Sequence, residues 1–171
     1  MELDGIKLRA PEPEDLELLY KWENDTSLWH LGNTITPFSK HSLRQYLKSA
    51  SRSVYEEGQL RFMIDLTKSN TTIGTIDIFD FDPINLKAGV GILIADKPQR
   101  NKGYAGIALT LLMDYCKKKL NLNQVWCNIL EDNKASTNLF TAKGFKLCGL
   151  KQQWIRIDNS YKNELLFQCI L

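Results

Sequence analysis

Apolar and polar residues alternate over three successive segments in the middle of the chain. These segments, Leu60–Leu66, Thr72–Phe81 and Ala88–Ala95, are rich in β-branched and aromatic residues. The turn-forming runs Lys68–Asn70 and Asp82–Asn85 separate them. The pattern predicts three antiparallel strands connected as a meander.

The residues before the meander predict one short strand and two helices. Ile6–Pro11 alternates apolar and basic residues, as a strand does. Apolar residues at helical spacing follow Pro13, behind the acids Glu14 and Asp15, which favour a helix N-terminus. Ser39 is a suitable N-cap for the second helix.

The C-terminal half predicts two further helices and three further strands. Apolar residues repeat at helical spacing after Gly103, and Asn133–Phe145 is typical of a short helix. Strand-like sequences occur at Gln124–Leu130 and in a hairpin around Asp158–Ser160. The order of segments predicts an α/β (α+β) fold, a mixed and mostly antiparallel twisted sheet of about six or seven strands flanked by about four helices. A central β-α-β crossover places two of these strands in parallel.

Length and composition indicate a single domain over residues 1–171, with a charged content of 25% that is ordinary for globular proteins. The sequence has no signal-peptide pattern and no apolar run of membrane-spanning length, so we expect a cytoplasmic protein without a membrane partner. The four cysteines form no CxxC pair and lie in apolar segments, which indicates buried, reduced thiols. With only two histidines, a metal site has little support.

Charge is distributed unevenly along the chain. Residues 1–82 carry a net charge of −5 and residues 83–171 a net charge of +7. An acidic half suits a cationic ligand and a basic half suits an anionic ligand, with uneven solvated surface as the alternative. The overall charge of +2 is too small to indicate a nucleic-acid partner.

The stretch PQRNKGYAGIALTLLMDYC places charged and small residues directly before a long apolar run. The first turn of a helix presents unpaired amide N–H groups, which bind phosphate. Gly103 admits a ligand close to the backbone, and Arg100 and Lys102 add positive charge. The stretch matches neither GxxxxGK[ST] nor GxGxxG, which argues against ordinary nucleotide binding. A solvated helix start without a ligand is the alternative.

Two motifs in this half resemble those of the GNAT acyl-CoA-dependent N-acetyltransferases. RNKGYA matches the Q/R-x-x-G-x-G/A signature, and NKASTNLFTAKGF resembles the segment N-x-x-[AS]-x-x-[LF]-Y-x-K-x-G-F. The N-terminal stretch IKLRAPEPEDLELLYKWEND resembles the branch that contains spermidine N-acetyltransferases and ribosomal-protein N-terminal acetyltransferases. The resemblance implies a GNAT-like fold and direct acetyl transfer from acetyl-CoA to a primary amine, without a metal or a covalent enzyme intermediate.

The resemblance also implies which residues surround coenzyme A. Backbone groups of six consecutive residues would hold its pyrophosphate: Arg100, Asn101, Lys102, Gly103, Tyr104 and Ala105. Ile92, Leu93 and Ile94 would pair with the pantetheine arm like an added strand, and an amide of Leu93 or Ile94 would bind the oxyanion. The other side of the arm would be bordered by Asn133, by Ser136 and Leu139 near the thioester, and by Lys143 near the adenosine phosphate. For Lys143, an exposed lysine at a helix end is the alternative.

Two catalytic side chains that are usual in the family are absent. Gly89 stands where many members have a glutamate, and Phe140, beside the coenzyme, stands where a tyrosine often protonates the thiolate. Asp77, an acid within an apolar strand, is the candidate general base, with an acid on a solvated strand face as the alternative. Ser136 is a candidate proton donor. Positioning alone is a further alternative, because a thioester is already activated.

The helical N-terminal region covers the acceptor in this family. Glu23, Asp25 and Trp29 are therefore candidate acceptor-binding residues, because carboxylates and aromatic rings attract a cationic amine. An amphipathic helix with a solvated face is the alternative. We predict an N-acetyltransferase that acts on a polyamine, a protein N-terminus, an amino sugar or another small amine, and we leave a homo-oligomer open. The competing hypotheses are a catalytically weak acyl-CoA-binding sensor and a nucleotide-binding regulator.

Overall fold

Eight strands form one open sheet in the structure, a computed structural model that describes residues 1–32, 34–50 and 52–171. In chain order they are β1 (Glu2–Leu3), β2 (Ile6–Arg9), β3 (Leu60–Leu66), β4 (Thr71–Asp82), β5 (Lys87–Ile94), β6 (Gln124–Leu130), β7 (Lys146–Ile157) and β8 (Ser160–Ile170). Across the sheet the order is β1-β2-β3-β4-β5-β6-β8-β7. Neighbouring strands are antiparallel except β5 and β6, which are parallel.

Helices flank both faces of the sheet. Within the described ranges they are α1 (Leu16–Glu23), α2 (Trp29–Gly32), α3 (Lys40–Ser49), α4 (Val54–Glu57), α5 (Tyr104–Lys118) and α6 (Lys134–Ala142). Short 3-10 turns at Pro13–Asp15 and Lys97–Gln99 lie before α1 and α5. The Ser39 hydroxyl accepts a hydrogen bond from the Ser42 amide, so Ser39 caps α3 as predicted.

The predicted fold class is confirmed, with corrections to the number of elements. Strands β3, β4 and β5 form the antiparallel meander, and β5, α5 and β6 form the crossover with parallel strands. The sheet contains one strand more than predicted, because the two residues of β1 are too few to show alternation. The four-residue helices α2 and α4 are absent from the prediction, because a single turn has no periodicity.

Alternate residues of the strands point to opposite faces of the sheet, and each face has its own apolar core. On the α5/α6 face, Leu109 and Leu112 pack in one cluster with Ile76, Ile78 and Val90. The cluster on the α1/α3 face consists of Leu19, Trp22, Leu43, Leu47, Met63 and Ala95. Burial of each large aliphatic side chain stabilises the fold by roughly 1.5–3 kcal/mol.

Strands β5 and β6 separate along their length. They pair at only three positions, from Lys87 opposite Gln124 to Gly89 opposite Trp126. Beyond these pairs the two strands diverge, so the backbone edge of β5 faces an open cleft instead of a neighbouring strand. The chain leaves both strands at the wide end of the cleft and enters α5 and α6 there.

Three cysteines, Cys116, Cys127 and Cys169, are buried as predicted, whereas Cys148 is exposed. Cys148 lies on β7, the edge strand of the sheet. Its burial is wrongly predicted because an apolar sequence does not distinguish an edge strand from a central one.

None of the helices in the described ranges is long and apolar enough to cross a membrane. The same part of the chain brings together no group of three or more side chains suited to hold a metal ion.

Candidate active site

The loop before α5 presents unpaired amide groups at the wide end of the cleft. Gly103, the N-cap of α5, has a φ of 83°, and Asn101 has a φ of 60°. The amides of residues 101–105 donate no hydrogen bond to any residue that the structure describes. A Cβ on Gly103 would meet no atom within 4 Å, so the space beside the loop is open. This geometry suits an anion such as a diphosphate.

The cations predicted around this loop differ in their contacts. Arg100 Nε donates a hydrogen bond to the Ile94 carbonyl at 2.8 Å, which ties the loop to the end of β5. Lys102 is exposed. Lys143 Nζ donates to Thr110 Oγ1 at 2.8 Å, about 9 Å along the axis of α5 from its first residue. The same ammonium lies 3.7 Å from where a Cβ on Gly106 would stand, in the first turn of α5. Lys143 therefore packs along the first two turns of α5, and its contact with the adenosine phosphate stays a prediction.

The free edge of β5 offers amides to the cleft. The Leu93 carbonyl points at Gly74 in β4, where a Cβ would collide with it, whereas the Ile94 carbonyl accepts from Arg100 and so points away from β4. Because amides alternate along a strand, the N–H groups of Ile92 and Ile94 face the cleft and that of Leu93 faces β4. Of the two amides predicted to bind the oxyanion, this geometry favours Ile94.

Helix α6 borders the other side of the cleft. Asn133 caps this helix, because its side-chain oxygen accepts a hydrogen bond from the Ser136 amide at 3.1 Å. Asn133, Ser136 and Phe140 line the cavity described below, and the last two lie one turn apart on the same helix face. Leu139 does not line it and packs towards Gly106 of α5.

A cavity of about 700 Å³ opens beside the cleft on the α1/α3 face. Its walls come from α1, α2 and α3 on one side and from β6, α6 and β8 on the other. A row of cross-strand neighbours crosses its floor, with Arg61 opposite Asp77 and Asp77 opposite Gly91. The backbone of Asp77 therefore lies one strand spacing, about 5 Å, from the strand that borders the cleft.

Arg61 joins two carboxylates in this cavity. Its Nε and Nη2 donate to Asp77 Oδ1 and Oδ2 at 2.7 and 3.1 Å, and its Nη1 donates to Glu23 Oε1 at 2.5 Å. The Tyr46 ring lies against the guanidinium, with 5.6 Å from its centroid to Cζ. Burial opposes the charge of Arg61, but Asp77 and Glu23 outweigh it and hold the pKa of Arg61 well above its ordinary value. Burial also raises the pKa of Tyr46.

Asp77 lines the cavity, but its contacts do not fit the predicted role of general base. Both of its carboxylate oxygens accept hydrogen bonds from Arg61, so neither oxygen is without a protein partner. The alternative of a solvated strand face does not fit either, because the side chain is only 27% exposed. Together, Asp77 and Glu23 give this wall one negative charge more than Arg61 neutralises.

Two of the three predicted acceptor-binding residues reach the cavity. Glu23 and Trp29 line it, and Trp29 Nε1 donates a hydrogen bond to the Glu23 carbonyl at 2.8 Å. Asp25 does not line it, because its carboxylate accepts hydrogen bonds from the hydroxyl and the amide of Ser27. These bonds and the positive charges next to the loop before α5 lower the pKa of Asp25. Asp25 is therefore not part of the cavity wall.

The space that a glutamate at position 89 would need is filled. Gly89 lies opposite Phe79 of β4, and a Cβ on Gly89 would collide with the Phe79 ring. That ring packs edge-on against Trp126, with the two centroids 5.3 Å apart. The narrow end of the cleft therefore has an aromatic pair in place of the carboxylate that many family members carry.

The opposite wall carries a charged group that sequence reasoning missed. Glu164 of β8 lines the cavity and is only 6% exposed. Its Oε2 accepts a hydrogen bond from Lys151 Nζ at 2.8 Å, and the same ammonium donates to Asn128 Oδ1 at 3.0 Å. The available signal was a single glutamate at the head of the apolar run ELLFQCIL.

Cys127 also lines the cavity but is unsuited to carry an acyl group. Burial raises the pKa of its thiol to about 12. The thiol is therefore neutral at physiological pH, and the thiolate is the nucleophilic form.

Comparisons of sequence place this architecture among known proteins. A family model described as an acetyltransferase (GNAT) domain matches residues 6–146. The uncharacterized N-acetyltransferase p20 of Bacillus licheniformis is 29% identical over 152 residues, which cover 88% of this chain and 84% of that protein. An N-acetyltransferase 9-like protein of Caenorhabditis briggsae is 26% identical over 145 residues, which cover 79% of this chain and 71% of that protein.

Solved structures share the fold. The spermidine N-acetyltransferase of Vibrio cholerae, in complex with CoA and spermine, superposes with a TM-score of 0.87 at 20% identity, covering 97% of this chain and 95% of that one. A probable acetyltransferase superposes with a TM-score of 0.84 at 21% identity, covering 98% of this chain and 94% of that one. Because the family match spans the loop before α5, both strands of the cleft and all of α6, this chain belongs to the GNAT family of acetyltransferases.

Proposed function

We propose that this enzyme transfers the acetyl group of acetyl-CoA directly to the primary amine of a cationic acceptor, with a polyamine as the preferred class. One observation carries the proposal: an anion-binding loop and an acid-lined cavity lie at the same cleft. The unpaired amides of residues 101–105 stand at its wide end, and the cavity with Glu23 and Asp77 opens on the α1/α3 face. A thioester in the cleft is then within reach of an amine in the cavity.

The coenzyme is held mainly by backbone groups. The amides of residues 101–105 bind the diphosphate, and Arg100 fixes the loop through the Ile94 carbonyl. The pantetheine arm pairs with the free edge of β5 as an added strand does, while Asn133 borders it from α6. The amides of Ile92 and Ile94 face the cleft, where they stabilise the oxyanion of the tetrahedral intermediate.

The charge of the cavity favours a cationic acceptor. Glu23 and Asp77 share the single charge of Arg61, so one carboxylate charge remains for an ammonium group. An alkylamine with a pKa near 10 is over 99% protonated at pH 7 and therefore fits this wall. The bound spermine of the Vibrio cholerae structure supports a polyamine. Protein N-termini, amino sugars and other small amines share the reactive group and form the comparison set.

Ser136 is the proposed proton donor for the departing thiolate. It lines the cavity one helical turn before Phe140, which occupies the position of the family's tyrosine. The Ser136 amide donates a hydrogen bond to Asn133 Oδ1, and the Ser136 hydroxyl makes no hydrogen bond to the described residues. A thiolate is a stable leaving group, so a weak donor suffices.

Acetyl transfer is tested with a panel of amines, acetyl-CoA and a longer acyl-CoA, following thiol release and identifying the product by mass. We expect one acetylated amine per free thiol, with the highest kcat/KM for a polyamine. Equal rates for neutral and cationic acceptors would contradict the role of the acidic wall.

The same panel tests a second candidate, an acyl-CoA-binding sensor with little catalytic activity. Gly89 and Phe140 favour it, because neither has an ionisable group where the family usually has one. Binding of acetyl-CoA without turnover on every amine would establish the sensor and overturn the transferase.

A further inference from the structure

We propose that Glu164 is the general base of this enzyme and removes the proton from the acceptor's ammonium group. The inference rests on the proposed acetyl transfer to a primary amine. It starts from a buried carboxylate on the cavity wall that faces Asp77 and Glu23 across the cleft.

The position of Glu164 in the sheet directs its side chain into the cavity. It lies opposite Leu130 of β6 and Lys151 of β7, at the wide end of the cleft. Residues alternate along β8, and Leu165 and Phe167 belong to the core on the α5/α6 face. Glu164 therefore points to the α1/α3 face, where the acceptor cavity opens.

One oxygen of this carboxylate remains available. Oε2 accepts the hydrogen bond from Lys151, whereas Oε1 has no hydrogen-bond partner among the described residues. Oε1 is not among the fully buried, unpaired side-chain atoms of the described residues, so it keeps some solvent exposure, and Glu164 lines the cavity. Asp77 differs in this respect, because Arg61 engages both of its oxygens.

The surroundings of Glu164 already hold one primary ammonium group. Lys151 Nζ donates to Glu164 Oε2 at 2.8 Å and to Asn128 Oδ1 at 3.0 Å, and it lies 5.3 Å from the ring centroid of Trp154. A carboxylate, an amide oxygen and an aromatic ring are the groups that bind ammonium. The acceptor's ammonium would donate a hydrogen bond to Oε1 as Lys151 does to Oε2.

Proton removal by Glu164 starts the reaction. The N–H bond of the acceptor's ammonium breaks and an O–H bond forms at Glu164 Oε1. The freed lone pair attacks the thioester carbon, and the carbonyl electrons move to the oxygen held by the β5 amides. When this intermediate collapses, the C–S bond breaks, the thiolate takes one of the two protons on the nitrogen through the donor, and the other stays in the amide. Glu164 then releases its proton to water. The sum is acetylated amine, free CoA and one proton.

The test compares Glu164→Gln with wild type on two acceptors: the best amine of the panel, which is protonated at pH 7, and trifluoroethylamine, whose fluorines leave it largely neutral. We expect Glu164→Gln to lower kcat/KM about 100- to 1000-fold for the protonated amine and less than 10-fold for the neutral one. Affinity for CoA should not change. The matched control Glu17→Gln alters an exposed Glu–Lys pair outside the cavity and should change neither rate.

Asp77→Asn distinguishes a base from a binding carboxylate. As a binding carboxylate, Asp77 should act on KM: Asp77→Asn should raise KM for the cationic acceptor and leave kcat nearly unchanged for both acceptors, whereas Glu164→Gln should lower kcat. Where Glu164→Gln does not fold, Glu164→Asp keeps a carboxylate at a shorter reach and should show a smaller loss that is still greater for the protonated amine.

Equal losses on the two amines, or wild-type activity of Glu164→Gln on both, would overturn the role of Glu164 while leaving acetyl transfer intact. A wild-type enzyme that acetylates no amine would overturn the proposed function, and this inference with it.

Discussion

The Phe79 ring fills the space beside Gly89 at the narrow end of the cleft. Many family members have a glutamate at the position of Gly89, and the sequence alone shows that this chain does not. What occupies the space instead depends on the register of β4 against β5, which places Phe79 opposite Gly89. That register follows a bulge between Phe79 and Asp82, and no local pattern in the sequence predicts a bulge.

Substitution of the two glycines on this face of β5 tests the packing. A Cβ on Gly89 would collide with the Phe79 ring, whereas a Cβ on Gly91 would stand 3.6 Å from it, an ordinary contact. We expect Gly89→Ala to lower the free energy of unfolding by about 1–3 kcal/mol. Gly91→Ala is the matched control and should change it by less than about 0.5 kcal/mol.

The double variant Gly89→Ala/Phe79→Leu tests whether the Phe79 ring causes this loss of stability. Because a smaller side chain removes the collision, the two changes should couple by about 1 kcal/mol in urea denaturation. Strictly additive effects would show that the Phe79 ring does not restrict position 89.

At the scale of elements, an ion-pair cluster fixes where α1 begins. Arg9 of β2 donates to both oxygens of Asp15 at 2.7 and 2.8 Å and to Asp65 of β3 at 2.7 Å. The sequence predicts the helix start from the acids Glu14 and Asp15, but it does not reveal that Asp15 pairs with a neighbouring strand. Through this anchor the sheet sets the position of α1, whose last residue, Glu23, reaches the cavity.

Asp15→Asn should weaken the fold in a pH-dependent way. Burial of Asp15 opposes its ionisation, but hydrogen bonds from Arg9 and the Glu12 amide, with the charge of Arg9, outweigh it and lower the pKa of Asp15 below 3.8. Since the pKa is lower in the folded state, the ionised carboxylate stabilises the protein above about pH 4 and loses this effect as the pH falls through the folded-state value. We expect a loss of about 3 kcal/mol at pH 7.

Denaturation of both proteins at pH 7 and pH 3 checks this prediction. The difference between wild type and Asp15→Asn should be largest at pH 7 and smaller at pH 3. The neighbouring exposed acid supplies the control, because Glu14→Gln should change stability by less than about 0.5 kcal/mol. A difference that grows towards pH 3 would contradict the assigned ion pair.

At the scale of the whole molecule, the two halves of the chain supply different parts of the site. Residues 1–82, with their net negative charge, provide α1, α3 and the ion pairs of Arg61 with Asp77 and Glu23. Residues 83–171, with their net positive charge, provide the loop before α5 and the cavity wall that contains Glu164. Alternation, turn residues and motif order suffice to predict the meander, the crossover and the position of the loop before α5. The pairs Arg61–Asp77 and Lys151–Glu164 join different strands, so they follow from strand register, which the sequence alone leaves open.

The central claim is that the unpaired amides of residues 101–105 hold the diphosphate of the coenzyme. The most direct measurement is calorimetric titration of Gly103→Val with CoA and with pantetheine, which lacks the diphosphate. Gly58→Val is the matched control, because Gly58 also has a positive φ, 67°, and open space around a Cβ, but lies outside the cleft. We predict that Gly103→Val weakens CoA at least about 10-fold, leaves pantetheine unchanged, and that Gly58→Val affects neither. Wild-type affinity of Gly103→Val for CoA would contradict the account.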